Sequence, residues 1–325
     1  MLQEISQIER LIGRIESIRA PRPQPHLRKS NRVRTVQGSL SIEGNTLALD
    51  QVTALLEGKT VIGKPSEIKE VLNAIEVYGK LSGFEPYSTR ALLSAHNQMM
   101  SGLIPTAGKW RSGPVGILKG TAVSHIAPPA DRVPHLVKDL FRFIQTSEQH
   151  PLITSCILHY ELEFIHPFED GNGRMGRFWH TRLLYHYHPV FEFIPVESLI
   201  QAHQQEYYDV LEASDSAGHS NAFVEFALRM IGQSLAEFLD ALRPLPQTAA
   251  TRLEQAKAQY HDQAFARKDY ILLHKTISTA TASRDLQQGV TDGIPEKSGE
   301  KAQTAYRLFQ PSFRVQLPAP WRRSS

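Results

Sequence analysis

Apolar positions recur every three or four residues through most of the chain. Leu2, Ile5, Ile8, Ile12, Ile15 and Ile18 form one stripe, the mark of an amphipathic helix. The run APRPQP, from Ala20 to Pro25, ends it. A second helical pattern carries Val33, Val36 and Leu40 and stops at Gly44-Asn45, residues that tolerate the left-handed turn of a helix end. Asp50 is expected to cap a third helix running through Leu55 and Leu56 to Gly58. Further helices are expected over about Ser66–Leu81 and Ser88–Met100. From Gly108 the character changes to Gly, Pro and β-branched residues. Val115–Leu118 and Ala122–Ile126 predict two short strands around Lys119-Gly120, a hairpin. Helical text resumes at Pro134. Leu152, Ile153, Ile157, Tyr160 and Phe164 mark a long buried helix, and the pattern stays helical to about Leu239.

The last quarter of the chain has its own pattern. RPLPQTAATR introduces a linker over 243–254. Residues 255–310 then predict helix, helix and hairpin: Ser278 caps a helix bearing Thr281, Ser283 and Arg284, and Gly299-Glu300 turns between two strand-like runs. This order resembles a winged helix-turn-helix, whose second helix would enter a major groove. A tail occupies 311–325.

Composition narrows the class without deciding it. The 325 residues are 41% hydrophobic and 21% charged, enough for a sizeable core. No apolar run approaches the ~18–20 residues of a membrane span. The first residues lack the apolar stretch of a signal peptide. A single cysteine, Cys156, excludes an internal disulfide and a Cys-rich zinc site. A cytoplasmic protein without membrane contact is the resulting expectation. The net charge of +3 is uneven: residues 251–325 hold 12 Lys+Arg against 7 Asp+Glu. That basic excess makes DNA contact through 255–310 a candidate, with a mildly basic solvated surface as the alternative.

The densest chemistry is HPFEDGNGRMGR, His166 to Arg177. Within it GNGRMG matches the dinucleotide fingerprint G-x-G-x-x-G, and Glu192 stands about 20 residues on. That fingerprint needs a strand before it, and here a helix precedes it, so a dinucleotide fold is set aside. The residue types still describe an anion site. Glycines let successive backbone N–H groups turn toward an anion. A helix starts there and adds partial positive charge. Arg174 and Arg177 project from its first turns. Asp170 offers Mg²⁺ a hard oxygen beside phosphates. His166 is of the residue type suited to taking a proton near neutrality.

The whole dozen resembles the Fic family motif H-x-F-x-D/E-G-N-G-R-x-x-R at every specified position: His166, Phe168, Asp170, Gly171, Asn172, Gly173, Arg174 and Arg177. The resemblance covers roughly residues 30–240. It implies a mainly α fold: an N-terminal helical region over 1–90, a Fic-type helical core over 91–242, and a β-hairpin flap. It implies transfer of AMP from ATP to a Ser, Thr or Tyr hydroxyl of a protein, with release of pyrophosphate. His166 would be the base and Asp170 the Mg²⁺ ligand. Gly171, Asn172, Gly173, Arg174, Met175 and Gly176 would contact phosphates, with Arg177 on the γ-phosphate. Phe168 would anchor the loop. Relatives that phosphorylate carry Lys at the position of Gly173, so glycine there favours AMP transfer.

SLSIEGN, Ser39 to Asn45, matches the family's inhibitory motif S/T-x-x-x-E-G/N through Ser39, Glu43 and Gly44, on a helix expected at about 30–45. The resemblance implies that Glu43 pairs with Arg177 and denies it to ATP. Tyr207 and Tyr208 match a position near adenine in relatives, and Ile117 and Leu118 of the hairpin are candidates to cover the nucleotide. The hairpin edge, 115–126, could pair with a target segment by strand addition. A homodimer is common among relatives. Removal of AMP, transfer of another nucleotide, or a DNA-binding regulator with a nucleotide-sensing Fic domain are the alternatives.

Overall fold

A computed structural model describes residues 1–18, 25–119, 122–242, 248–261, 263–274, 277–299 and 304–308. It divides into two compact units, Met1–Leu242 and Arg243–Ser325. Residues 20–24 of the expected break over Ala20 to Pro25, the hairpin tip at Gly120, the start of the linker at 243–247, the turn residue Glu300 and the tail 311–325 lie outside the described residues.

The first unit is helical with one hairpin. It runs α1 (Leu2–Ser17), α2 (Pro25–Ile42), α3 (Leu49–Leu56), α4 (Pro65–Gly79), α5 (Thr89–Met99), β1 (Gly116–Lys119), β2 (Ala122–Ile126), α6 (Val133–Thr146), α7 (Pro151–Ile165), α8 (Asn172–Tyr187), α9 (Val196–Ala202), α10 (Gln204–Ala217) and α11 (Asn221–Leu242). The stripe read on α1 is its buried face: Ile5, Ile8, Leu11 and Ile12 are covered, and Leu2 stays 85% exposed. β1 and β2 pair antiparallel, with a register shift between Ile117 and Leu118. No described helix is long and apolar enough to cross a membrane.

Two core clusters fill this unit. One gathers Val36, Leu40, Val77, Leu92, Leu162, Phe168, Phe178 and Trp179. The other gathers Ile8, Leu152, Ile200, Tyr207, Phe226 and Ile231. α8 is buried along nearly its whole length, and its apolar and charged residues alike face neighbours. The expected division at residue 90 therefore separates no bodies: α2 and α4 share one core with α7 and α8.

Several helix ends differ from expectation for local reasons. Pro25, expected to end a helix, begins one, where its missing N–H costs nothing. Ala48, not Asp50, precedes α3, because the Gln51 side chain accepts the Ala48 N–H at 2.9 Å. α2 ends in a Schellman turn. The Asn45 N–H donates to Leu40 O at 3.1 Å and the Gly44 N–H to Ser41 O at 3.0 Å. Gly44 has φ +86°, which a side chain would resist.

The second unit contains α12 (Ala249–Tyr260), α13 (Arg267–Leu273), α14 (Thr279–Thr291) and an antiparallel pair β3 (Pro295–Ser298) and β4 (Ala305–Leu308). Leu253, Phe265, Tyr270, Leu286 and Leu308 form its core. The linker is shorter than expected, since the Thr248 hydroxyl accepts the Thr251 N–H and starts α12 at Ala249. Arg252 and Asp285, both buried, hold α12 to α14 through bonds of 2.6 and 2.9 Å. Ser278 caps α14 as expected.

α2 passes so close to α9 that a Cβ on Gly38 would meet backbone atoms of Glu197 and Ser198 at 2.8–2.9 Å. In an open helix Gly→Ala stabilises by about 1 kcal/mol. Here overpacking wins, and Gly38→Ala is expected to destabilise by ~1–3 kcal/mol. A urea midpoint that stays put or rises would contradict the close α2–α9 contact.

Candidate active site

The loop between α7 and α8 is held by its own side chains. His166 ends α7 in the left-handed region, at φ 50° and ψ 61°. Pro167 follows and disfavours further helix. Asn172 closes the loop: its Oδ1 accepts the Phe168 N–H at 2.8 Å, and its Nδ2 donates to Phe168 O at 2.9 Å. Its side chain is thereby spent on the backbone, so the expected phosphate contact of Asn172 is left to its N–H at the start of α8. Phe168 is fully buried and stacks on His96, with centroids 3.7 Å apart and planes within 7°. Trp110 also stacks on Phe168, with centroids 5.5 Å apart.

His96 is a tie that no local pattern predicted. Its Nδ1 accepts the Gly108 N–H at 2.9 Å, so its Nε2 carries the hydrogen and donates to Asp170 O at 3.0 Å. Burial lowers its pKa to about 4, which keeps the ring neutral.

His166 Nδ1 lies 3.3 Å from Glu163 O, an atom that can only accept. The hydrogen therefore sits on Nδ1, and Nε2 is the basic atom. Asp170 is 57% exposed at its side chain. Its Oδ1 accepts from the Gly171 N–H at 2.5 Å and from Arg174 Nη2 at 3.0 Å. Arg174 is buried to 5% and also meets Glu70 Oε1 at 3.2 Å. Glu70, on α4, accepts the Asn45 Nδ2 at 2.8 Å as well. It thus links this arginine to the residue that follows Gly44.

Arg177 is the most enclosed charge of the site, with 1% exposure. Its Nη2 donates to Glu43 Oε1 at 2.5 Å and to Ser39 O at 3.0 Å, and its Nε to the Ser39 hydroxyl at 3.2 Å. Burial alone would lower its pKa, but Glu43, Tyr207 and Glu163 outweigh burial and raise it. The structure so brings together Ser39, Glu43, Gly44, His166, Asp170, Arg174 and Arg177 from helices far apart in sequence.

The glycines mark where this arrangement leaves no room. A Cβ on Gly173 would stand 2.4 Å from Glu43 Oε1, and one on Gly176 2.8 Å from Glu163 Oε1. Gly171 has φ +85°, and a Cβ there would strike Met100 Sδ at 2.7 Å. Met175 departs from its expected place among the phosphate contacts. Its side chain is core and its N–H is already bonded to Gly171 O.

Tyr207 and Tyr208 separate. Tyr207 is 1% exposed among His159, Phe223 and Phe226, and its hydroxyl donates to Glu163 Oε1 at 3.3 Å. A ring enclosed in this way offers no face to adenine, because α11 covers it. Tyr208 is 43% exposed and donates to Ile42 O at 3.2 Å, beside the end of α2. The side chains of Ile117 and Leu118 lie outside the described residues.

Glu70, Glu163 and His96 were not predicted. Glu163 is one turn before His166, largely buried, 3.7 Å from His159 Nε2. The only local signal for Glu163 was a carboxylate on a helix otherwise buried. Sequence offered a reason to seek Glu70 only in the need of Arg174 for a partner.

The Fic/DOC family model matches residues 86–184. Among curated proteins, the protein adenylyltransferase Fic of Culex quinquefasciatus is 27% identical over 271 residues, 78% of this chain and 51% of that protein. The chain spans about half the length, or less, of the curated relatives it matches. A solved fragment of Fic-1 from C. elegans, 22% identical, has a TM-score of 0.61 over 74% of this chain and 73% of that chain, a likeness of fold. The crystal structure of a Fic family protein from Desulfovibrio desulfuricans G20 is 38% identical, with a TM-score of 0.76 over 94% of this chain and 95% of that one. With likeness running through both units and the full motif at the α7–α8 loop, the chain belongs to the Fic family.

Proposed function

We propose that this chain is a protein adenylyltransferase restrained by its own Glu43. The observation that carries the reading is the Arg177–Glu43 pair beside a complete Fic loop. The reaction is acyl-free and simple in its balance. His166 Nε2 takes the proton of a Ser, Thr or Tyr hydroxyl on a target protein. That oxygen bonds to the α-phosphorus of ATP, the bond to the bridging oxygen breaks, and pyrophosphate leaves. Arg174 and the N–H groups opening α8 stabilise the charge that develops on phosphate oxygens. Tyr208, not Tyr207, is the tyrosine available to the nucleotide.

Mg²⁺ fits the donor set. Asp170 presents a half-exposed carboxylate beside the opening of α8, and one carboxylate with phosphates and waters is what this ion prefers. Bound there, the ion would neutralise phosphate charge and orient the leaving group.

Glu43 restrains this chemistry by occupying the guanidinium edge that a γ-phosphate would take. A nucleotide bound without that clamp has its α-phosphorus out of place, and a misplacement of about 1 Å costs ~100-fold. Gly173 belongs to the same device, because any side chain there would meet the Glu43 carboxylate. Labelling with ATP tagged at the α-phosphate is expected to be weak for the wild type and about 100-fold stronger for Glu43→Gly, and absent when His166→Ala is added. Equal labelling of wild type and Glu43→Gly removes the restraint. Labelling that survives His166→Ala removes the base.

Glu163 and Arg177 lie close enough to act on each other electrostatically. Burial raises its pKa, Arg177 opposes, Glu43 adds to the rise, and the result is about 7. The folded chain then holds this proton up to about pH 7, whereas the unfolded chain releases it near 4.5. The stability linked to it is complete below pH 4.5, declines as pH rises to about 7, and is flat above. Glu163→Gln is therefore expected to abolish a fall in Tm between pH 4.5 and about 7 that the wild type displays. Parallel Tm curves would show that the proton is not held.

For the second unit we propose a winged helix, with α14 as recognition helix and β3–β4 as wing. In support, Arg284, Gln287 and Gln288 lie exposed at helical spacing on α14, and Lys297 and Arg307 are exposed on the hairpin. Three such cations against duplex DNA predict a slope of about −3 for log affinity against log salt. Binding without salt dependence, or none, removes this reading.

A further inference from the structure

Arg111 stands between Trp110 and the first strand of the hairpin, 5% exposed. A buried guanidinium ordinarily meets a carboxylate. No described carboxylate lies in ion-pair range of this one, and burial alone acts on its pKa, lowering it. Its donors go to carbonyl oxygens. Nε donates to His166 O at 2.7 Å, Nη1 to Gly113 O at 2.8 Å, and Nη2 to Ile165 O at 3.3 Å and to Pro128 O. The Arg111 backbone N–H donates to Pro167 O at 3.0 Å.

These acceptors come from three stretches of chain. Gly113 precedes β1 and Pro128 follows β2, so they are the two feet of the hairpin. Ile165 and His166 end α7. The last carbonyls of a helix have no partner within it, and they carry the negative end of its dipole. That explains how a cation is tolerated here without an acid. It also places the guanidinium under the backbone of His166, whose left-handed turn aims the ring.

We propose that Arg111 is a positioning residue for adenylyl transfer, holding the His166 backbone and both hairpin feet in one register. The inference rests on the proposed function above. A target segment paired along the hairpin edge is thereby brought to His166 Nε2 at a set distance. A fork of five donors in one plane serves three stretches at once, which a lysine's single point charge does not.

The test uses the full chain in the Glu43→Gly background. Arg111→Lys keeps the charge and is expected to slow transfer about 100-fold. The ATP concentration for half-maximal rate should not change, because Arg174, Arg177 and the glycines are untouched. Millimolar methylguanidinium should restore part of the rate to Arg111→Ala, and methylammonium should not. A second readout needs no activity. Hydrogen exchange at the amides of Arg111 and Ala127, which donate to Pro167 O and Val115 O, should quicken in Arg111→Lys while α8 keeps its protection. If Glu43→Gly itself transfers nothing, the adenylyl-transfer reading fails and the exchange result alone decides the clamp. An unaltered rate in an active background overturns the proposal. So does unaltered exchange at both amides, or a loss of protection spread evenly through the unit, which marks a merely structural residue.

Discussion

Arg177, at 1% exposure, is answered by a carboxylate that comes from 134 residues upstream. Removing one partner of a fully buried pair costs ~3–5 kcal/mol; the Glu43 side chain is 33% exposed, so water screens part of that cost here. Glu43 is still not easily lifted away into water. On the proposed reading its departure is cheap only when another anion arrives at the same guanidinium, and a triphosphate is such an anion. On that reading, restraint and substrate binding are two occupancies of one site. Glu163 sets the background for both: with a pKa of about 7 it is about half-charged near neutrality, so it lessens the cost of an uncovered Arg177 without replacing Glu43.

The same pair depends on empty space. Gly173 leaves room for the Glu43 carboxylate, Gly176 for that of Glu163, and Gly38 for the backbone of α9 against which α2 is seated. None of these glycines has a positive φ. They are small because atoms from other helices stand where a Cβ would be. Gly171 and Gly44 are different, since each turns the chain through the left-handed region at a helix boundary. A motif that reads as one string of glycines thus combines two physical demands.

Much of this was legible in the sequence where the signal was local. The α1 stripe, the end of α2 at Gly44 and the cap at Ser278 follow from spacing and turn chemistry within a few residues. His166, Asp170, Arg174 and Arg177 were legible because a twelve-residue motif carries them. Glu70 and Glu163 were not, because their partners, Arg174 for one and Tyr207 for the other, are brought to them by folding that no local pattern shows. Which groups of Asn172 and Met175 are free was not legible for a related reason. The Asn172 side chain is taken by Phe168 and the Met175 N–H by Gly171 O, which leaves the first N–H groups of α8 as the donors for an anion. Tyr207 could be told from Tyr208 only once α11 covered one ring and left the other.

The loop is held by several ties while Glu43 occupies Arg177. Asn172 closes it on Phe168, His96 stacks beneath and reaches Asp170 O, and the backbone of His166 is held from below by Arg111. Each of these ties uses groups that Glu43 does not touch. Exchanging Glu43 for an incoming phosphate thus disturbs none of them, and on the proposed reading the base keeps its aim in both states. Control then acts on where the nucleotide sits and leaves the catalytic loop as it is. Such a division suits a site whose rate depends on ångström-scale alignment, because the switch moves a carboxylate at the edge while the reacting geometry stays preorganised.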